Sequence, residues 1–289
     1  MQFCEVSVIP RRSFMDEYIV IKVLNNNVVI AEKQGKEYVL VGKAIGFNCS
    51  KGTRLPASKI ENKFIKQLDS NDENFDRVLN NIDSEIVGIC EEIISLCENK
   101  LKVKLSEAIH VSLPDHINFS IRRIENGVKI ENPFLHELLA IYPEEYKLAE
   151  KALDMINTRL NIELPEDEIG FICMHINAAV RQQAVSTSLA YTKKIGEIME
   201  LISKLLRKEF DKGSMEYIRT VTHLNFMIER VKNKKPIKNN LLDNIKKDLY
   251  NEYAIAIKVA IKIENLLSIK IPEDEIGYIA LHLNRLIEI

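Results

Sequence analysis

The sequence predicts a multidomain α+β chain, with a small antiparallel β domain followed by two tandem all-α helical bundles. Three observations predict it. A short N-terminal stretch is rich in β-branched residues and punctuated by turn signals. Two motifs recur further along the chain at one fixed offset. Charge is also divided unevenly between these parts, although the 289 residues carry a net charge of only −2.

The β domain comes first. Tyr18–Leu24 (YIVIKVL) reads as a strand, Asn25-Asn26-Asn27 as a turn, and Val28–Lys33 as a second strand. Gln34-Gly35-Lys36 reads as a hairpin turn, and Glu37–Val41 as a third strand. Gly42–Phe47 (GKAIGF) sets two glycines in a strand-like context, which points to a bulge or a close backbone approach. Residues 18–65 hold eight basic side chains against three acidic ones, a charge of +5, whereas residues 66–289 sum to −6. A small basic module ahead of an acidic body is the pattern of a polyanion-binding head. So few short strands bury little apolar surface alone, and pairing of two copies through the sheet face is the simplest remedy. Residues 1–17 fit no element and read as an N-terminal extension, with Met15 a candidate for the true start. The β domain is expected over 18–68.

A duplication organises the rest. Ile162–Asn177 (IELPEDEIGFICMHIN) matches Ile269–Asn284 (IKIPEDEIGYIALHLN) at an offset of 107 residues. His116–Arg123 (HINFSIRR) matches His223–Arg230 (HLNFMIER) at the same offset, and Glu145-Tyr146 matches Glu252-Tyr253. One spacing kept by separate motifs marks a tandem repeat of domain-sized units. In the first copy Phe75, Val78, Leu79, Ile82, Ile86, Ile89, Ile93, Leu96 and Cys97 recur at helical spacing. Pro165-Glu166-Asp167-Glu168 and Pro272-Glu273-Asp274-Glu275 each open a helix, because Pro suits the first position and acids suit the first turn. Arg181–Thr192 is polar, lacks apolar periodicity at its start, and reads as the linker. The copies are expected over 72–181 and 190–289.

Composition excludes several classes. Hydrophobic residues make up 46% and charged residues 28%, as in soluble globular chains. No apolar run is long enough for a membrane span or a signal peptide, so a cytoplasmic protein without membrane insertion is expected. Five cysteines without a close CxxC pair argue against a disulfide framework or a zinc ribbon and for buried thiols. Cys90 and Cys97, seven apart on one helix face, suit core packing.

The histidines carry the remaining chemistry. His116 pairs with His223 and His175 with His282 across the repeat, whereas Tyr217 and Asp243 stand where His110 and His136 would recur. His110 and His136 are therefore read as structural. There is no HExxH zinc motif, no GxSxG nucleophile turn, no phosphate-cradling glycine loop and no dinucleotide fingerprint. No metal and no cofactor are expected. What remains is histidine as a phosphoryl acceptor, since imidazole is nucleophilic near neutral pH.

With these residues in view, the chain after residue 17 resembles the BglG/LicT/SacY family of bacterial transcriptional antiterminators, with motifs most like the glucose-type branch. The resemblance rests on Asn25-Asn26-Asn27, Gly42–Phe47 and the repeated histidine motifs. It implies an RNA-binding domain followed by two phosphotransferase-system regulation domains. The head would act as a homodimer that clamps a leader RNA hairpin of a sugar-utilisation operon and prevents terminator formation. The sugar permease of the phosphotransferase system would inactivate the protein through His116 and His175. The phosphocarrier HPr would act through His223 and His282. Asn25, Asn27, Gly42, Lys43, Gly46 and Phe47 would contact RNA: asparagine amides on base edges, Phe47 stacked on a base, Lys43 at a phosphate, and the glycines for close approach. Lys43 and Ala44 stand where the family often has Arg and Gly.

The expected protein is thus an acceptor of phosphate and not an enzyme. A DNA-binding activator with the same regulation domains is the alternative, and it requires a recognition helix that the strand-rich head does not offer. A phosphocarrier enzyme that passes phosphate onward is a second rival.

Overall fold

Alternating apolar residues draw the N-terminal segment into an antiparallel sheet, seen in a computed structural model that describes residues 17–65, 78 and 81–287. The strands are β1 (Glu17–Asn25), β2 (Val28–Lys33), β3 (Lys36–Val41), β4 (Arg54–Pro56) and β5 (Asn62–Ile65), in the order β4-β1-β2-β3-β5. The first three match the expected strands to within a residue at each end. Glu17, assigned above to the extension, pairs with Pro56. The other sixteen residues of that extension, together with Phe75 and Leu79 of the expected helix and the boundaries at 68 and 72, lie outside the described residues.

Strands β4 and β5 were not legible in the sequence. Each is short and carries charged or turn-forming residues (Arg54-Leu55-Pro56 and Asn62-Lys63), so the backbone pairing alone defines them. At Gly42–Phe47 the chain does not run as a strand. It folds into successive turns, with Ile45 N–H donating to Gly42 O (3.1 Å), Phe47 N–H to Ala44 O (3.2 Å) and Cys49 N–H to Gly46 O (3.1 Å). Ile45, buried under the sheet, anchors these turns.

Register assigns the faces. Val29 faces Leu40 and Ala31 faces Tyr38, and with Tyr18, Val20, Ile45 and Leu55 they form one core. Val28, Ile30 and Val39 alternate with that set and are buried too. A helix of the same chain, α1 (Ser84–Leu101), packs against β1, β2 and β3. Asp83 caps this helix by accepting from Glu85 N–H (2.7 Å). Cys90 and Cys97 are fully buried on it, as core residues.

Nine more helices follow among the described residues. They are α2 (Ile109–Glu125), α3 (Leu135–Ile141), α4 (Pro143–Leu160), α5 (Asp167–Val180), α6 (Val185–Leu206), α7 (Met215–Lys232), α8 (Leu242–Asp248), α9 (Tyr250–Leu267) and α10 (Glu273–Ile287). The described residues form two compact units. The first runs to Arg122 and adds Met155–Ile162, and the second comprises Arg123–Asp154 and Glu163 onwards.

The repeat recurs at the level of single bonds. Asp167 Oδ1 accepts from Asn132 N–H (2.6 Å), and Asp274 Oδ1 from Asn239 N–H (3.0 Å), again 107 residues on. Asn132 Oδ1 accepts from Phe134 N–H (3.0 Å), and Asn239 Oδ1 from Leu241 N–H (3.1 Å). The acids expected to favour a helix start therefore also fasten the loop ahead of α3 or α8.

The expected linker Arg181–Thr192 is corrected. Only residues 181–184 connect, and Val185–Thr192 opens α6. Ser188 and Thr192 are fully buried yet satisfied: Ser188 Oγ donates to Asn177 Oδ1 (2.9 Å), and Thr192 Oγ1 donates to Ser188 O (3.0 Å). A helix face buried through hydroxyls leaves no apolar period to read.

Gly170 gives a test. A Cβ there would collide with the Asn132 side chain, whose oxygen is already engaged, and would crowd Leu138. Gly170→Ala should lower the stability of the second unit by about 1–3 kcal/mol, as overpacking does. Gly277→Ala, where the Asn239 amide stands further off, should cost less. Denaturant unfolding of the two variants measures the difference.

Candidate nucleic-acid interface and histidine sites

The β1–β2 turn and the Gly42–Phe47 turns hold each other through Asn25 to Asn27. Gly46 N–H donates to Asn26 O (3.0 Å), Gly42 N–H to Asn27 O (3.0 Å) and Ala44 N–H to Asn27 Oδ1 (2.9 Å). Asn27 N–H in turn donates to Asn25 Oδ1 (2.8 Å). The two side-chain carbonyls thus shape the loop. The amide ends point elsewhere: Asn25 Nδ2 donates to Glu92 Oε1 (2.9 Å) and Asn27 Nδ2 to Glu92 Oε2 (3.1 Å).

Gly42 and Gly46 are required by the chain's own backbone. A Cβ on Gly42 would strike Lys59 O, and one on Gly46 would strike Asn25 O. The close approach read from the sequence is therefore an approach to Lys59 and Asn25. Ala44 sits at φ 55°, in the left-handed region that glycine adopts without penalty. Lys43 is exposed, and Phe47 is 61% exposed, so its ring is not core. Asn25, Asn27, Lys43 and Phe47 line one cleft of about 680 Å³, to which Asp83, Glu85 and Arg159 also contribute. Sequence reading missed these last three, and nothing in their local pattern marks them.

The second histidine pair is brought together. His223 on α7 and His282 on α10 stack with ring centroids 4.1 Å apart and planes at 22°. They open on a cavity of about 270 Å³ that Arg230, Tyr278 and Arg285 also line. Arg230 is held by fully buried Glu275 through two bonds of 3.2 and 2.8 Å. Burial, then Arg219, Arg285 and Arg230, holds His223 below the usual imidazole range. Burial, then His223 and the same arginines, takes His282 down to about 4. Both rings are therefore neutral at pH 7, the form in which a ring nitrogen attacks an electrophile. The repeat register could have revealed the arginines, since Arg219 and Arg285 stand where the first copy has Ser112 and Ala178.

In the first copy, His116 is half-buried on α2 with Ser120 Oγ 3.5 Å from its Nε2. His175 is half-buried on α5. The two histidines belong to different compact units. His110 has a structural role: its Nδ1 lies 2.8 Å from both oxygens of fully buried Glu91, and Phe64 packs edge-on at 4.6 Å. Burial alone would lower its pKa, but Glu91, Glu107 and Glu98 outweigh burial and raise it. Among the described residues no group of three or more His, Cys, Asp or Glu side chains is placed to hold a metal ion, and no helix is long and apolar enough to cross a membrane.

These shifts have opposite signs, so the units should respond oppositely to pH. His110, raised by Glu91, stabilises the first unit fully below about pH 6.5, and that contribution is lost as pH rises through its raised pKa. His282, lowered, destabilises the second unit as pH falls from about 6.5 towards 4, because the unfolded chain then takes up a proton that the folded one refuses. Hydrogen exchange of α2 amides and α10 amides between pH 5 and 8 should show protection moving in opposite directions.

Comparison with known proteins agrees with these parts. The PRD domain family matches residues 91–179 and 196–286, and the CAT RNA binding domain family matches 18–73. Transcription antiterminator LicT of Bacillus subtilis (strain 168) is 34% identical over 273 residues, which are 92% of this chain and 98% of LicT. Protein GlcT of Staphylococcus saprophyticus is 31% identical over 277 residues, covering 95% of this chain and 99% of that protein. A solved structure titled "Crystal structure of GlcT CAT-PRDI" is 39% identical and covers 57% of this chain and 98% of its own, with a TM-score of 0.48. Identities of 34% and 31% do not single out the glucose-type branch. With both domain families present in this order and full-length relatives above 30% identity, the chain belongs to the BglG/LicT/SacY family of transcriptional antiterminators.

Proposed function

We propose that the chain binds a leader RNA hairpin of a sugar-utilisation operon as a homodimer, prevents the terminator from forming, and is switched by histidine phosphorylation from the phosphotransferase system. The observation that carries the RNA reading is the convergence of two asparagine amide groups, one exposed lysine and one exposed phenylalanine on a single cleft. Amides read unstacked base edges, a ring stacks on a base, and lysine pairs with phosphate. No described α-helix occurs within residues 17–65, so the head offers no recognition helix of the helix-turn-helix kind, which favours RNA over the DNA-binding activator.

His116 and His175 would take phosphate from the sugar permease and inactivate the protein. His223 and His282 would take it from HPr. Neutral rings beside three arginines support the acceptor role of the second pair, because the arginines favour an incoming phosphoryl group electrostatically. Arg219 and Arg285, which have no counterpart in the first copy, distinguish the two copies, so the donors would meet different local fields. The chain acts here as an acceptor and regulator, not as an enzyme with turnover, and works in the cytoplasm.

Sequencing of RNA that copurifies with the full chain tests the reading directly: enrichment of one hairpin in a sugar-gene leader is expected. Phe47→Ala should weaken that hairpin by roughly 1–3 kcal/mol, the worth of a stacked base, with thermal unfolding unchanged. A folded His116→Ala or His175→Ala protein should read through in a terminator reporter even without sugar, since alanine accepts no phosphate. A reporter that still shuts off in both variants would place the inhibitory sites elsewhere.

A further inference from the structure

The amides proposed to read RNA are already engaged within the chain. Glu92 of α1 accepts from Asn25 Nδ2 at 2.9 Å and from Asn27 Nδ2 at 3.1 Å. Arg159 holds the same carboxylate from another side through bonds of 3.1 and 3.0 Å, which fixes its orientation. The fit is close: α1 carries Gly88 where a Cβ would overlap the Asn25 amide. The contact continues along one helical face, where Asn62 Nδ2 donates to Ser95 Oγ (3.4 Å) and Glu98 Oε2 (3.2 Å). At the start of α1, Asp83 and Glu85 line the cleft that holds Lys43 and Phe47.

We propose that the carboxylate face of α1 is an internal competitor for RNA, with Glu92 occupying the Asn25 and Asn27 amides in place of a nucleic-acid acceptor. The inference rests on the RNA-binding reading above. Its logic lies in how each asparagine divides its two ends. The carbonyls of Asn25 and Asn27 bond only to the loop's own N–H groups, so the loop keeps its shape whether or not Glu92 is present. The amides reach out to Glu92 and are the ends a base edge would take. Glu92 offers each amide N–H a charged acceptor, stronger than the neutral oxygen of a base, so RNA can take the amides only by giving up the better hydrogen bonds. Charge then decides direction. Asp83 and Glu85, which line the cleft, present negative charge where phosphates would have to enter, and like charges at close range disfavour that state. The helix therefore lowers the fraction of chains whose amides are free, and the apparent Kd rises by the same factor.

The test uses the full-length chain and a pool of RNA hairpins with randomised loops, from which the enriched hairpin becomes the fluorescent probe. Glu92→Ala should bind it about tenfold more tightly than the unchanged chain, the gain expected when the free-amide fraction rises from one in ten to nearly all. Glu92→Gln, which keeps the shape and loses the charge, should gain less in the same direction, and it stands in should the alanine variant fail to fold. Arg159→Ala is the necessary background, since removing Glu92 also releases a cation beside the cleft. If Glu92→Ala tightens binding in the Arg159→Ala chain as well, the competitor is Glu92. If the gain disappears there, released Arg159 explains it and the proposal is overturned. Unchanged or weaker binding by folded Glu92 variants overturns it too, while leaving the RNA reading intact. Enrichment of no hairpin by any version of the chain removes the RNA reading itself and this inference with it.

Discussion

In the first unit one carboxylate gathers three elements of the chain. Glu92 is largely shielded from solvent and accepts from four nitrogen atoms: the amides of Asn25 and Asn27 and both terminal nitrogens of Arg159. A shielded carboxylate is costly to keep charged unless its lone pairs are met, and here each oxygen receives an amide and a guanidinium nitrogen. This joins the β1–β2 turn to α1 and to the end of α4. One residue earlier on the same helix, Glu91 faces inward and meets His110. Neighbouring positions on a helix point about 100° apart, so two adjacent acids serve two different surroundings. The loop that carries Asn25 and Asn27 and the covering of the sheet by α1 are thus parts of one arrangement.

The duplicated helical parts share a frame and diverge at their sites. The Asn132–Asp167 and Asn239–Asp274 bonds recur because they fasten a loop to a helix start, a need that both copies have. The surroundings of the histidines carry no such constraint. Exchanging Ser112 for Arg219 and Ala178 for Arg285 across the repeat leaves the helices in place but changes the field at the rings. Burial disfavours the protonated form of His282 most, the stacked His223 next, because two adjacent imidazolium charges would repel, and the arginines add to this. Duplication followed by charge divergence gives two histidine sites with different local fields.

Burial through polar atoms accounts for where periodicity misleads. Asn177, Ser188 and Thr192 are all fully buried, and their bonds to one another replace the apolar contacts a helix face would ordinarily show. Tyr217 donates from its hydroxyl to Glu137 at 2.6 Å in the same manner, with Glu137 fully buried and also reached by Lys212 at 3.1 Å. Such groups read as surface in a sequence and become interior only when their partners arrive, from 4 to 80 positions away.

The sequence by itself determined the β-then-α order, the first three strands and their turns, the tandem repeat with its register, and the family. All but the family follow from local rules, since side-chain alternation, turn chemistry and identical spacing need no knowledge of the fold, and the family follows from the resemblance of the motifs taken together. It also singled out Asn25, Asn27, Lys43, Phe47 and the four repeated histidines as chemically suited to their expected tasks. Only the tertiary structure decided what those residues meet. Gly42 and Gly46 accommodate Lys59 and Asn25, β4 and β5 exist through backbone pairing, His223 stacks on His282, and the asparagine amides rest on Glu92. Each of these is a contact between residues distant in the chain or depends on a backbone path, and partners of that kind leave no periodic trace in the residues that receive them.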